Sequence, residues 1–291
     1  MATQLDIESH YDVDNDFFSL FLDEKYRVYT CAVWENASNL QQAQEAKLAR
    51  ICKFANVQNG DRVVDVGCGW GGLMKYIVEN YADTTVHGLT LSPKQTQHIL
   101  SENVKNVTAE TRSWEHYQPK NTKFDAIVSV CALEHFATVE DQSKSLQRDI
   151  YKSFFDWCLE VSTDDAQIGL QTIIITRPPN NITELRDSRF LLEKVFPGSA
   201  LSSISDIQAA IIDKYEISSA TRIGMDYART LVEWKRNLEA ARSDVLGRYG
   251  QDVYDHHIHY LDAARRCFET EYTDLYQISL KRAKPIRVFL G

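Results

Sequence analysis

The residue types best suited to chemistry cluster first in "VVDVGCGWGG", positions 63–72, where β-branched residues and one acid, Asp65, run into Gly67, Gly69, Gly71 and Gly72. An apolar run ending in glycines reads as a buried strand that turns tightly into a helix, with backbone open to close approach by a ligand. Phosphate, a dinucleotide or a cationic ligand could each use such a turn, and the neighbouring residues discriminate between them. A dinucleotide site wants an acid at the end of the second strand, but that strand ends in Thr90 and Leu91. A phosphate loop wants Gly-Lys-Ser/Thr, but Trp70 is followed by Gly71, Gly72, Leu73 and Met74. S-adenosylmethionine fits better. Its amino-acid portion would lie over the glycines with the ammonium near Asp65, and its adenosine along the carboxyl edge of the sheet.

The elements that must position this loop read as alternating strands and helices. A helix through 39–55 precedes strand 63–68, and a helix runs from about Gly72 to Tyr81. "TVHGLTL" is a second strand, and "SPKQTQHILSENV" a helix with Ser92 as N-cap and Pro93 at its first position. "VTAET", "FDAIVSV" and "AQIGLQTIIIT" are further strands, with a helix through "DIYKSFFDWCLEV" before the last. This pattern predicts an α/β fold with a mostly parallel sheet covered on both faces. From Arg177 onward, prolines and turn residues suggest an insertion over the sheet. Two amphipathic helices, about Asp226–Tyr249 and Asp252–Tyr272, precede a final alternating strand in "TDLYQISLKRA". Near the start, Phe17, Phe18, Leu20, Phe21 and Leu22 follow Asp14 and Asn15, two candidate caps. That short helix is either core packing or a lid over a greasy site.

The 291 residues suit a single domain: an N-terminal helical lid (1–58), a core (59–176), a helical cap (177–272) and a last strand (273–291). A net charge of −9 without a basic stripe argues against nucleic acid. No bilayer-length apolar run or signal-peptide pattern is present, so a cytoplasmic location with at most peripheral membrane contact is expected. The cysteines Cys31, Cys52, Cys68, Cys131, Cys158 and Cys267 lack zinc-ligand spacing and are expected as free thiols, with no metal; most read as core filler.

Several motifs in order, "SHYDVDNDFFSLFLD", "YTCAVWE", "DVGCGWGG", "GLTLSPKQ", "SWEHY", "CALEHFA", "LQTI", "FPGSALSS" and "MDYARTLVEW", resemble the cyclopropane fatty acid synthases in their compact, mycolic acid cyclopropane synthase-like form. The resemblance implies a class I methyltransferase (Rossmann-like) seven-stranded sheet with a reversed last strand, an S-adenosylmethionine donor and a helical cap over an acyl tunnel. It places the donor against Tyr29, Thr30, Asp65, Gly67, Gly69, Thr90, Leu91, Gln95, Trp114 and Glu115. Gln95 could address the ribose, Trp114 the adenine, and Tyr29 the sulfonium through a cation–π contact. It also implies a bound bicarbonate as base, held at Cys31, Glu134, Gln171, Ile173 and Tyr227. Gln171 departs from the histidine usual in the family and cannot titrate near neutrality, which puts cyclopropanation itself in doubt and opens methyl-branched or exomethylene products. Glu134 beside an anion requires that it be protonated or accept the bicarbonate hydroxyl. His10 and His135 read as structural or tunnel-lining. The acceptor implied is an unsaturated acyl chain, free, carrier-bound or in phospholipid. The alternative, by analogy with plant alkaloid N-methyltransferases, is methyl transfer to carbon or nitrogen of a specialised metabolite.

Overall fold

The structure, a computed structural model, describes residues 15–120 and 122–284. Seven strands form one sheet in the order β3-β2-β1-β4-β5-β7-β6. β1 (Arg62–Val66) lies between β2 (Thr85–Thr90) and β4 (Phe124–Val130), parallel to both. β3 (Val107–Thr111) and β5 (Ser162–Ile175) extend the parallel part on either side. β7 (Thr273–Arg282) runs antiparallel to both β5 and β6 (Tyr215–Arg222), giving the reversed last strand of a class I methyltransferase sheet. Residues Val63–Val66 are buried, as a strand covered on both faces must be.

The described chain begins with the short α1 (Asn15–Ser19); on one face of the sheet pack α2 (Leu40–Phe54), α3 (Gly72–Asn80) and α4 (Pro93–Ser101), the last capped by Ser92 Oγ and begun by Pro93. After the short α5 (Val139–Ser143), the opposite face carries α6 (Gln147–Val161), which buries Tyr151, Phe154, Phe155 and Trp157. Above the carboxyl edge lies α7 (Ile182–Phe190), continued by a π-turn over Leu191–Val195, whereas α8 (Ile204–Ile211) packs against α6, with Ile207, Ala210 and Ile211 in the same core. α9 (Gly224–Ala240), α10 (Arg242–Tyr249) and α11 (Gln251–Glu269) complete the chain before β7.

Two features differ from the sequence reading. β6 lies inside the stretch read as a helical cap. It is an edge strand in which Ser218, Ser219 and Ala220 are exposed, so it lacks the apolar alternation that marks a strand and is held by pairing with β7. The helix expected over Asp226–Tyr249 is two, with Ala241 between them and Gly250 at φ +88° before the third. The cap expected at Asp14 lies outside the described residues. Phe17, Phe18, Phe21 and Leu22 are buried in a core shared with Trp234, Leu238, Tyr254 and Leu261, which is the packing reading of that segment. Among the described residues no helix is long and apolar enough to cross a membrane.

The glycine loop is locked against the N-terminal segment. A Cβ added at Gly72 would stand 2.1 Å from the Tyr26 carbonyl oxygen, so strand-to-helix turn and segment fit only with glycine there. Gly72→Ala is expected to destabilise the fold by about 2 kcal/mol or more, read as a lowered urea midpoint at unchanged slope; an unshifted midpoint would contradict this packing.

Candidate active site

A cavity of about 260 Å³ opens at the carboxyl ends of β1, β2, β4 and β5. Its floor is the glycine loop, and its far walls are apolar, from Leu191, Leu192 and Phe196 in the cap and Tyr260, Ala264 and Phe268 on α11.

At the loop end, Gly67, Gly69 and Gly71 all take positive φ. Gly69 lines the cavity, and a Cβ built there meets no protein atom within 4 Å, so this stretch of backbone is bare toward a ligand. Asp65 sits just behind it, 2% exposed, with Oδ1 lacking any hydrogen-bond partner. Burial pushes its carboxyl up to about 7, against the opposing charge of Lys47. Thr90 Oγ1 donates to Gln95 Oε1 at 2.6 Å, which directs the amide nitrogen of Gln95 elsewhere; both residues line the cavity with Leu91. Trp114 also lines it, in a 3₁₀ turn begun by Ser113. Its ring packs on Phe136, Phe154 and Trp157, and its Nε1 has no partner. Tyr29 and Thr30 form the opposite wall, with the Tyr29 ring packed among Phe18, Phe21, Trp234 and Tyr260. A bare glycine, an unpartnered buried acid and an unpartnered indole N–H suit a ligand with a cationic amino-acid end and a heteroaromatic end.

The second cluster forms where β4 ends. Cys131 turns the chain at φ +54° while its N–H donates to the Gln171 carbonyl of β5 at 2.7 Å. The next turn carries Glu134, 5% exposed, whose Oε1 accepts from the Ile173 N–H at 2.6 Å and whose Oε2 has no partner. Burial raises this carboxyl to about 7, the Ile173 N–H opposing the rise. Ile173 and Tyr227, on the first turn of α9, line the same space. His135 lines it too, but burial lowers its imidazole to about 4, so it is neutral at physiological pH. Among the described residues no group of three His, Cys, Asp or Glu side chains could hold a metal ion, and the six cysteines are free thiols.

Residues 2–278 match the family model described as mycolic acid cyclopropane synthetase. The chain belongs to this family. Cyclopropane mycolic acid synthase 2 of Mycobacterium leprae is 32% identical over 294 residues, 94% of this chain and 92% of that protein. Cyclopropane mycolic acid synthase 1 of Mycobacterium tuberculosis is 31% identical, over 95% of this chain and 96% of its own. Among solved structures, the cyclopropane synthase MmaA2 from Mycobacterium tuberculosis superposes with a TM-score of 0.86 at 27% identity, covering 96% of this chain and 98% of that one. The mycolic acid cyclopropane synthase CmaA1 complexed with SAH and CTAB gives 0.85 at 30% identity, with the same coverage of 96% and 98%. As a member of this family the chain is an S-adenosylmethionine-dependent methyltransferase.

Within this mycolic acid cyclopropane synthetase scaffold, Tyr29, Thr30, Gly67, Gly69, Thr90, Leu91, Gln95, Trp114, Glu134, Ile173 and Tyr227 line one cavity. Asp65, Glu115, Cys31 and Gln171 do not line it. Glu115, the residue after Trp114, is exposed. The Cys31 thiol points to the Ala32 and Ile223 carbonyls, and burial keeps it protonated. The Gln171 amide spans two partners: its Oε1 accepts from Gln277 Nε2 at 2.8 Å and its Nε2 donates to Cys131 Sγ at 3.4 Å. Two lining residues escape a reading of the sequence. Cys131 looks like core filler there, because nothing in a sequence marks a left-handed cysteine. Lys47 belongs to no motif, and its one signal is its place in the buried row Leu40, Ala43, Gln44, Lys47, Leu48, Ile51 of α2, where a lysine is out of keeping. His10 lies outside the described residues.

Two outcomes are expected. Gly69→Ala adds a methyl to the bare floor, so donor affinity should drop at least about tenfold while the urea midpoint falls far less than for Gly72→Ala; unchanged affinity by calorimetry would remove the donor from the loop. Between the ordinary Glu pKa of 4.5 and about 7, folded Glu134 keeps a proton that the unfolded chain has released. Its contribution to stability is therefore full at acid pH and declines as pH rises through this window. Relative to wild type, Glu134→Gln should gain on the order of a few kcal/mol between about pH 5 and about pH 8 in urea unfolding, and a pH-independent difference would contradict the buried-acid environment.

Proposed function

We propose that the enzyme transfers a methyl or methylene group from S-adenosylmethionine to carbon of an unsaturated acyl chain, with a bicarbonate ion as base. The observation that carries this reading is the Glu134 carboxyl: buried, tied by Oε1 to the Ile173 N–H, its Oε2 unpartnered, at the edge of an apolar cavity that begins at the glycine loop.

The chemistry explains why such a group is needed. An isolated alkene is a weak nucleophile, so its π electrons attack the donor's methyl carbon only when aligned with it and shielded from water. The new C–C bond forms as the C–S bond breaks, the electron pair stays on sulfur, and a carbocation remains on the acyl chain. That cation then loses a proton. A carboxyl held half-protonated near pH 7 meets the condition for an acid beside an anion: it donates its proton, or its free oxygen accepts the bicarbonate hydroxyl. Bicarbonate takes the proton, and Tyr227 and Ile173 border the space where it would sit. The walls of Leu191, Leu192, Phe196 and Phe268 suit an aliphatic chain, and Tyr29 and Tyr260 offer ring faces to positive charge. Gln171, fixed between Gln277 and Cys131, supports a positioning role for this side chain in place of a proton relay.

Isotope labelling separates the two readings of the acceptor. With methyl-deuterated donor and an unsaturated acyl acceptor, mass spectrometry of the product should show the transferred carbon less one deuterium, the mark of deprotonation after transfer. Full retention of label on a small polar acceptor, with acyl chains untouched, would favour the specialised-metabolite reading. Glu134→Gln should lower kcat about 10²–10⁴-fold while donor affinity changes little; full activity would overturn the role given to Glu134.

A further inference from the structure

A buried cation faces the same cavity. Lys47 is 1% exposed and its Nζ donates to Thr30 Oγ1 at 2.9 Å. Among the described residues no carboxylate lies within ion-pair distance of it. Lys47 and Thr30 both line the cavity. Burying an ammonium group against one neutral hydroxyl is costly, and such charges ordinarily come with a counter-ion. Burial lowers its pKa to about 8, opposed by Cys131, Asp23, Cys31 and Asp65, so the side chain is mainly cationic at neutral pH.

Asp65 is the complementary half. It too is buried with an unpartnered oxygen, and Lys47 is the charge that opposes the rise of its pKa. At Glu134, by contrast, the largest offset to burial is the hydrogen bond from the Ile173 N–H. Leu48, the next residue on α2, is buried in one cluster with Cys68, Leu73 and Met74, which puts this turn of α2 against the glycine loop and the helix that follows it. A cation on the cavity wall and an acid just behind the loop floor match a ligand end that carries both charges, and the methionyl group of the donor is such a zwitterion.

We propose that Lys47 is a donor-binding residue, its ammonium receiving the α-carboxylate of S-adenosylmethionine beside the Thr30 hydroxyl. This inference rests on the donor reading of the glycine loop. It assigns recognition of the amino-acid end to side-chain charge as well as to loop backbone, and it makes an amino acid on the sulfonium a requirement for tight binding.

The probes are S-adenosylhomocysteine and its decarboxylated analogue, titrated by calorimetry into wild type and Lys47→Met, a variant close in length without the charge. Wild type should bind the decarboxylated analogue about tenfold to a hundredfold more weakly than S-adenosylhomocysteine. Lys47→Met should lose a similar factor for S-adenosylhomocysteine and bind the two ligands alike. If wild type binds both ligands equally, no cation reads the carboxylate and the proposal falls, whether or not the variant folds. If Lys47→Met weakens both ligands by the same factor, the lysine is structural and the proposal also falls. It falls as well if the variant leaves S-adenosylhomocysteine binding intact and raises only the bicarbonate concentration needed for turnover. Wild type binding neither ligand would overturn the donor reading itself, an outcome distinct from the others.

Discussion

One hydrogen bond organises the reactive end of this molecule: the Ile173 N–H of β5 to Glu134 Oε1, at 2.6 Å. It joins the turn after β4 to the neighbouring strand, and the Glu134 carbonyl in turn accepts from the Ala200 N–H of the cap at 2.9 Å. A single residue thus links sheet, turn and cap. Because the bond uses one carboxyl oxygen and leaves the other bare in an enclosed apolar space, Glu134 is poised between its two protonation states near neutrality. The Cys131 turn and the Gln277–Gln171–Cys131 chain behind it hold this geometry from the sheet side.

Water exclusion sets the second condition. Asp65, Lys47 and Glu134 are all nearly inaccessible, yet none has a side-chain ion-pair partner among the described residues. Uncompensated buried charge of this kind opposes folding, and groups gathered around one cavity in this way are what the proposed recognition and chemistry would draw on. In so low a dielectric each group acts strongly on a ligand that supplies the missing charge. In the proposed chemistry the aromatic and aliphatic walls would serve the same end, since a carbocation would otherwise be captured by water.

Much of this is legible in the chain. The parallel strands announce themselves as apolar runs, the Ser92–Pro93 cap is local chemistry, and the absence of an acid after β2 discriminates between cofactors. β6 is not legible, because an edge strand with Ser218, Ser219 and Ala220 exposed at its middle is stabilised by its partner and not by its own pattern. The apolar segment at Phe17–Leu22 carries two readings that composition cannot separate; the structure shows it buried against α9–α11, with Phe18 packed on Tyr29 and Trp70. Gln171 shows the limit of carrying roles over by motif, since its place is clear from "LQTI" but its partners Gln277 and Cys131 come from strand pairing and a left-handed turn.

The bare oxygen of Glu134 is the point on which the proposed chemistry turns, because it completes the anion site. Carbon-13 NMR of the protein saturated with S-adenosylhomocysteine and titrated with ¹³C-bicarbonate tests it directly. A saturable, slowly exchanging bound resonance is expected in wild type and should be lost in Glu134→Ala while S-adenosylhomocysteine still binds. A wild-type spectrum with no bound signal at saturating bicarbonate, or one that persists unchanged in the variant, would contradict it.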